Sequence, residues 1–189
     1  MPIVASEGSR KEFHLLPADT YQAVCNDVHD IGFQKTVFNN EEKIQHKIVV
    51  QWEVSELIPN GEYEGKRFVI SKRYTLSLHK KATLRAHLEA WRGKVFTDDE
   101  LKGFDIEKLV GVNCMLSVIH NQSGENTYAN VGSVSKLMKG LTPMIPENER
   151  KIPDWIKKLQ DKAVQDPQLD DDRADAAAPA SADESEIPF

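Results

Sequence analysis

The chain has 189 residues, enough for one domain of ordinary size and a tail. Its net charge of −6 argues against a body that meets a polyanion through overall charge, and no stretch approaches the roughly 20 apolar residues of a membrane span. Two cysteines, Cys25 and Cys114, without a CxxC or clustered histidines, read as buried free thiols rather than a disulfide or metal site.

The charge is uneven. From Asp166 onward eight acidic residues stand against one basic residue, Arg173, so residues 1–165 carry a net charge of only +1. Any basic surface on the body must therefore be local. The N-terminus has no apolar signal core, and a cytoplasmic protein is expected.

Residues 1–18 read as an N-terminal arm without a strong pattern. Thr20 to His29 is strand-rich, and Asp30-Ile31-Gly32 is expected to break it. Phe33 to Glu42 reads as a polar loop with a turn at Asn39-Asn40. Lys43 to Val54 alternates with period two. Ile44, His46, Ile48, Val50, Trp52 and Val54 fall on one face, and Lys43, Gln45, Lys47, Val49, Gln51 and Glu53 on the other. After a turn at Asn60-Gly61, Lys66 to Leu76 reads as a third strand. Ser77 is the expected cap of a helix over 78–91, whose buried face is Leu84, Leu88 and Trp91.

Thr97 and Glu100 form a capping box that opens a short helix, and residues 105–110 give another helical turn before Gly111. Two more strands are predicted, Val112 to His120 and Thr127 to Leu137, joined by a loop of hairpin composition. Pro143, Pro146 and Pro153 are expected to end the ordered core. Residues 143–165 then form a linker with one short helix that starts at Pro153. Residues 166–189 are an acidic tail rich in Ala, Pro and Ser, which cannot bury enough apolar surface to order itself.

Five strands with a helix between the third and fourth is the layout of the OB-fold, a partly open five-stranded Greek-key barrel. The expected class is thus mainly β, with residues 19–142 as the barrel. On such a barrel the binding face lies on strands two and three, flanked by the loop after strand one and the loop between strands four and five. A single strand of nucleic acid needs cations along its phosphates and aromatic faces for its bases. The candidates are Lys43 and Lys47 on strand two, and Lys66, Arg67, Lys72, Arg73 and Tyr74 on strand three. Phe33, Lys35 and Phe38 come from the first loop, and Tyr128 from the second. Alternation puts only one of Lys72 and Arg73 on the binding face.

The chain closes on Asp183-Glu184-Ser185-Glu186-Ile187-Pro188-Phe189. An apolar ring beside a carboxylate, on a flexible anionic tether, suits a small pocket with a basic neighbour. Asp183, Glu184, Glu186, Ile187, Pro188 and Phe189 are therefore candidate partner-binding residues. This tip resembles the C-terminal tip of bacterial single-stranded DNA-binding proteins. The body is similar to phage-encoded single-stranded DNA-binding proteins over about Asp19 to Leu141. That similarity lies in Tyr74-Thr75-Leu76-Ser77-Leu78, Leu84-Arg85, Trp91-Arg92-Gly93, Phe96-Thr97, Glu100-Leu101 and Gly111-Val112. The resemblance implies a sequence-independent single-stranded DNA-binding protein of a bacteriophage, working in DNA replication, recombination or repair. It also implies that the tip recruits a polymerase, helicase, primase or nuclease in the host cytoplasm.

Catalysis is not expected. Capping accounts for Asp98-Asp99-Glu100, no HxH, HExxH or GxSxG occurs, and no GxxxxGK[ST] cradle is present. No cofactor, metal or membrane partner is expected. Edge strands are compatible with a homo-oligomer. The rival reading is an OB-like module that binds protein rather than nucleic acid.

Overall fold

The computed structural model describes residues 14–38 and 40–167, and its core is one antiparallel sheet of five strands. The strands are β1 (Thr20–Phe38), β2 (Glu41–Leu57), β3 (Arg67–Thr75), β4 (Asn113–Ser123) and β5 (Asn126–Lys136), in the spatial order β3-β2-β1-β4-β5. The described residues also hold three short helices, α1 (Thr83–Arg92), α2 (Asp98–Lys102) and α3 (Asp154–Gln160), with a 3-10 turn over Ile106–Leu109. The class is mainly β, as the alternation predicts. None of these helices is long and apolar enough to cross a membrane.

The even-numbered residues of β2 from Ile48 to Val54 point into the main core. Ile48, Val50, Trp52 and Val54 meet Ala23 and Cys25 of β1, Phe68 and Ile70 of β3, and Leu116 and Val118 of β4. Leu84, Leu88 and Trp91 of α1 cover this side; the Trp52 and Trp91 rings lie 5.8 Å apart. The indole N–H of Trp91 donates to the Asn113 carbonyl at 2.9 Å, so its polar edge is satisfied inside. Both cysteines are buried and free, and burial pushes the Cys25 thiol up to about 12. Leu16, expected in a patternless arm, is part of this core.

The first hairpin departs from expectation. Asp30-Ile31-Gly32 bends β1 without ending it. Bulges lie between Cys25 and Asp27 and between Asp30 and Phe33, and the strand runs on to Phe38. Gly32 sits at φ +67, and a Cβ there would come within 2.9 Å of the Ala163 side chain, so the bend requires glycine. Residues 33–38 and 41–46 are thus a paired β arm, not a loop. Polar residues hold it as well as apolar ones do, because the ladder satisfies their backbone and Lys35 meets Glu42 at 2.5 Å. Asn40 turns the arm at φ +62, a conformation that asparagine adopts at low cost.

Helix α1 starts five residues later than its sequence suggests. Ser77 accepts from the His79 N–H at 3.2 Å, and the His79 ring nitrogen accepts from the Lys81 N–H at 3.3 Å. These local side-chain bonds compete with helix and leave residues 77–82 as a turn. The capping box at Thr97 and Glu100 forms as expected. The predicted loop over 121–126 shrinks to a two-residue turn at Gly124-Glu125, because Asn121 and Gln122 pair with Tyr128 and Thr127.

The largest correction concerns residues 142–164. The prolines do not end the packed structure; they shape a strap across the outer face of β1 and β2. The Gln22 amide donates to the Thr142 carbonyl at 2.7 Å, and Asn113 exchanges hydrogen bonds with the Met144 backbone at 2.7 and 2.8 Å. Buried Glu53 accepts the N–H groups of Glu147 and Asn148, each at 2.9 Å. Arg150 reaches Asp27 at 2.7 Å. Helix α3 then lays Ile156 over Ile31 and Val49 as a second small core. The alternation of β2 therefore does not separate core from solvent: Val49, Gln51 and Glu53 are buried too.

Candidate functional site

The strap leaves one part of the β2–β3 face uncovered. Arg73 pairs with Val49 and Thr75 with Lys47 in an unbroken ladder, so Lys47 and Arg73 share the outer face at the margin of the strap. Lys72 points to the opposite side, where its ammonium donates to the Val131 carbonyl of β5 at 2.5 Å. The question of which of Lys72 and Arg73 faces outward thus resolves to Arg73. Burial lowers the Lys47 pKa, and the nearby Arg73 charge lowers it further. Burial alone lowers that of Lys72.

Beside them lies a pocket of about 510 Å³, lined by Gln45, Lys72, Arg73, Ser77, His79 and Lys81. The turn over 77–82 that displaces the helix start is what brings His79 and Lys81 to this pocket. Among the described residues no carboxylate lies within ion-pair distance of Lys47, Lys72, Arg73, Lys80 or Lys81. Like charges gathered without counter-charges raise the local positive potential and suit an anionic ligand.

The other sequence candidates are occupied differently. Lys35 is paired with Glu42, and Lys43 lies 3.6 Å from Glu41. Arg67 donates to the Ile145 carbonyl at 2.8 Å and to Glu147 at 2.5 Å, and sits 3.6 Å from Glu53; it anchors the strap. Phe33 stacks on His46 at 4.7 Å, and His46 in turn meets Asp30 at 2.7 Å. Phe38 ends β1 opposite Glu41. Tyr74 is a core residue: it is 4% exposed and its hydroxyl meets His87 at 2.8 Å, so its ring faces are not free for stacking. Burial raises the Tyr74 pKa and, with help from Lys72, lowers that of His87.

Two cations of α1 are structural. Arg85 pairs with Glu89 at 2.9 Å, while Arg92 meets Glu100 and lies 4.5 Å over the Phe96 ring. The Thr97 N–H, followed by Arg92, pulls the Glu100 carboxyl down to about 2. Asp98, Asp99 and Glu100 therefore serve the helix end. Among the described residues no group of three or more His, Cys, Asp or Glu is placed to hold a metal ion.

Tyr128 is half exposed at the start of β5. Tyr63, which the sequence reading passed over, is equally exposed on the β2–β3 connection, with the Lys66 ammonium 5.5 Å from its ring centre. An aromatic residue in the polar run 59–66 was the available signal. The tip residues Asp183, Glu184, Glu186, Ile187, Pro188 and Phe189 lie outside the described residues. No protein-family model matches this chain, and no curated protein matches it.

Proposed function

We propose that this protein binds single-stranded DNA without sequence preference, through an OB-type barrel, and recruits replication or repair proteins through its C-terminal tip. The observation that carries the reading is the pocket lined by Arg73 and Lys81, with Lys47 beside Arg73 on the outer face, and no carboxylate partner for these three among the described residues. A body whose other cations are so often paired has no stability reason to leave these together. Phosphates would supply the missing anions, and binding would release their condensed counterions. The barrel reading is supported by the strand order, by α1 lying between β3 and β4, and by the Lys72 contact from β3 to β5 across the open side of the sheet.

The tail contributes through charge and composition. Its run is acidic, and Ile187-Pro188-Phe189 offers a partner an apolar ring beside acidic residues. Deleting Phe189 is expected to abolish capture of such a partner while leaving DNA affinity intact; equal capture by the shortened chain contradicts the recruiting role.

Titration of labelled oligo-dT at several salt concentrations tests the DNA reading. Binding that weakens with a log–log slope of about −0.7 per phosphate contact is expected. Absence of binding at low salt rejects it and favours a protein-binding module.

A further inference from the structure

The open side of the sheet holds a groove of about 1030 Å³ between β3 and β5. Its walls include Leu16, Phe68, Ile70 and Ala129, and at its rims stand Tyr63 and Tyr128. The two tyrosines belong to different parts of the chain, one on the β2–β3 connection and one on the β4–β5 hairpin. Both are about half exposed, at 53% and 50%, although each lines a concave apolar site. Small-ligand sites usually enclose about 300–1,000 Å³, so this groove has room for more than one planar ring.

The groove and the basic pocket are successive stretches of one strand. Val69, Ile70 and Ser71 line the groove, and Lys72, Arg73 and Tyr74 line the pocket. At about 3.3 Å per residue, Val69 to Thr75 spans roughly 20 Å of one strand, with the apolar groove toward one end and the cationic pocket toward the other.

We propose that this groove takes the unpaired bases of the same strand whose phosphates lie against Lys47, Arg73 and Lys81, with Tyr63 and Tyr128 as the stacking residues. The inference rests on the DNA-binding reading and assigns it a second site. The chemistry matches the division of a polynucleotide into flat apolar rings and a charged backbone. The Lys66 ammonium, 5.5 Å from the Tyr63 ring centre, adds a cation beside the stacked rings. The aromatic partners then stand between β3 and β5, whereas Tyr74 is buried in the core.

The test compares two probes on the full chain: labelled oligo-dT and an abasic oligomer of the same length, which keeps the phosphates and lacks the rings. Wild type is expected to bind oligo-dT at least about tenfold more tightly than the abasic probe. Tyr63→Ala and Tyr128→Ala are each expected to weaken oligo-dT binding about tenfold, and to leave abasic binding and the salt slope unchanged. Tyr63→Phe and Tyr128→Phe keep a ring and are expected to bind like wild type. Both tyrosines are half exposed, so the variants should fold, and an unchanged melting temperature checks this. If wild type binds oligo-dT and the alanine variants bind it equally well, the groove proposal falls while the DNA reading stands. A peptide strand paired to the β3 and β5 edges would give that result. If wild type fails to bind oligo-dT at low salt, both fall.

Discussion

One face of β2 carries two kinds of surface. Toward its C-terminal half, Val49, Gln51 and Glu53 are covered. Glu53 takes two N–H groups from the strap, and Gln51 meets His29 at 2.8 Å. Toward its N-terminal half, Lys47 stands beside Arg73 at the strap's margin, with no carboxylate near among the described residues. The same pleat, facing the same way, is a structural interface at one end and an exposed cationic strip at the other. Where burial is complete, charge is satisfied from inside the molecule; where it is partial, charge is left for something outside.

The largest expected effects lie in the covered half. Glu53→Ala would leave two N–H groups of the strap without their acceptor and remove the carboxylate 3.6 Å from the Arg67 guanidinium, at a cost of about 3–5 kcal/mol. Ile156→Ala would open a cavity over Ile31 and Val49 and cost about 2–5 kcal/mol. Denaturant unfolding measures both. If either variant is as stable as wild type, the strap is not integral to the fold, and the contrast between the two halves of β2 loses its physical basis.

A smaller effect concerns pH. The Thr97 N–H and then Arg92 depress the Glu100 carboxyl; for Glu89 the Arg85 hydrogen bond comes first. At Asp27, burial pushes the carboxyl upward but is outweighed by Arg150, the Val28 N–H and His29, so its value also falls. A carboxylate with a depressed folded value contributes stability that is complete above its ordinary value. That contribution is lost as pH falls through the folded value. The melting temperature should therefore decline from about pH 4.5 toward pH 2, and less steeply at high salt because the Glu89 and Glu100 pairs are screened. A melting temperature that stays flat over that range contradicts these assignments.

The sequence made much of the sheet legible and left the strap obscure, for physical reasons. Strict alternation in β2 and β3 and the turns at Asn40 and Gly124 follow from local chemistry, so these strands could be read directly. The covering of Val49, Gln51 and Glu53 depends on residues about 95 positions later, among them Asn148. No local pattern announces that Glu53 accepts from that backbone. Three prolines there look like the end of a domain, although proline also suits an extended segment that is fixed by side-chain hydrogen bonds. At the candidate site, Lys47, Lys72 and Arg73 were legible from density of charge. Arg67 was misjudged because its partner Glu147 is distant in sequence, and Tyr74 because alternation alone cannot tell a rim residue from a core residue.

The most direct measurement is the salt dependence of oligo-dT affinity for wild type and for the Lys47→Ala/Arg73→Ala pair. Two phosphate contacts removed should flatten the log–log slope by about 1.4 and weaken binding at low salt, with the melting temperature unchanged. Equal slopes for the two proteins would contradict the assignment of this strip to phosphates.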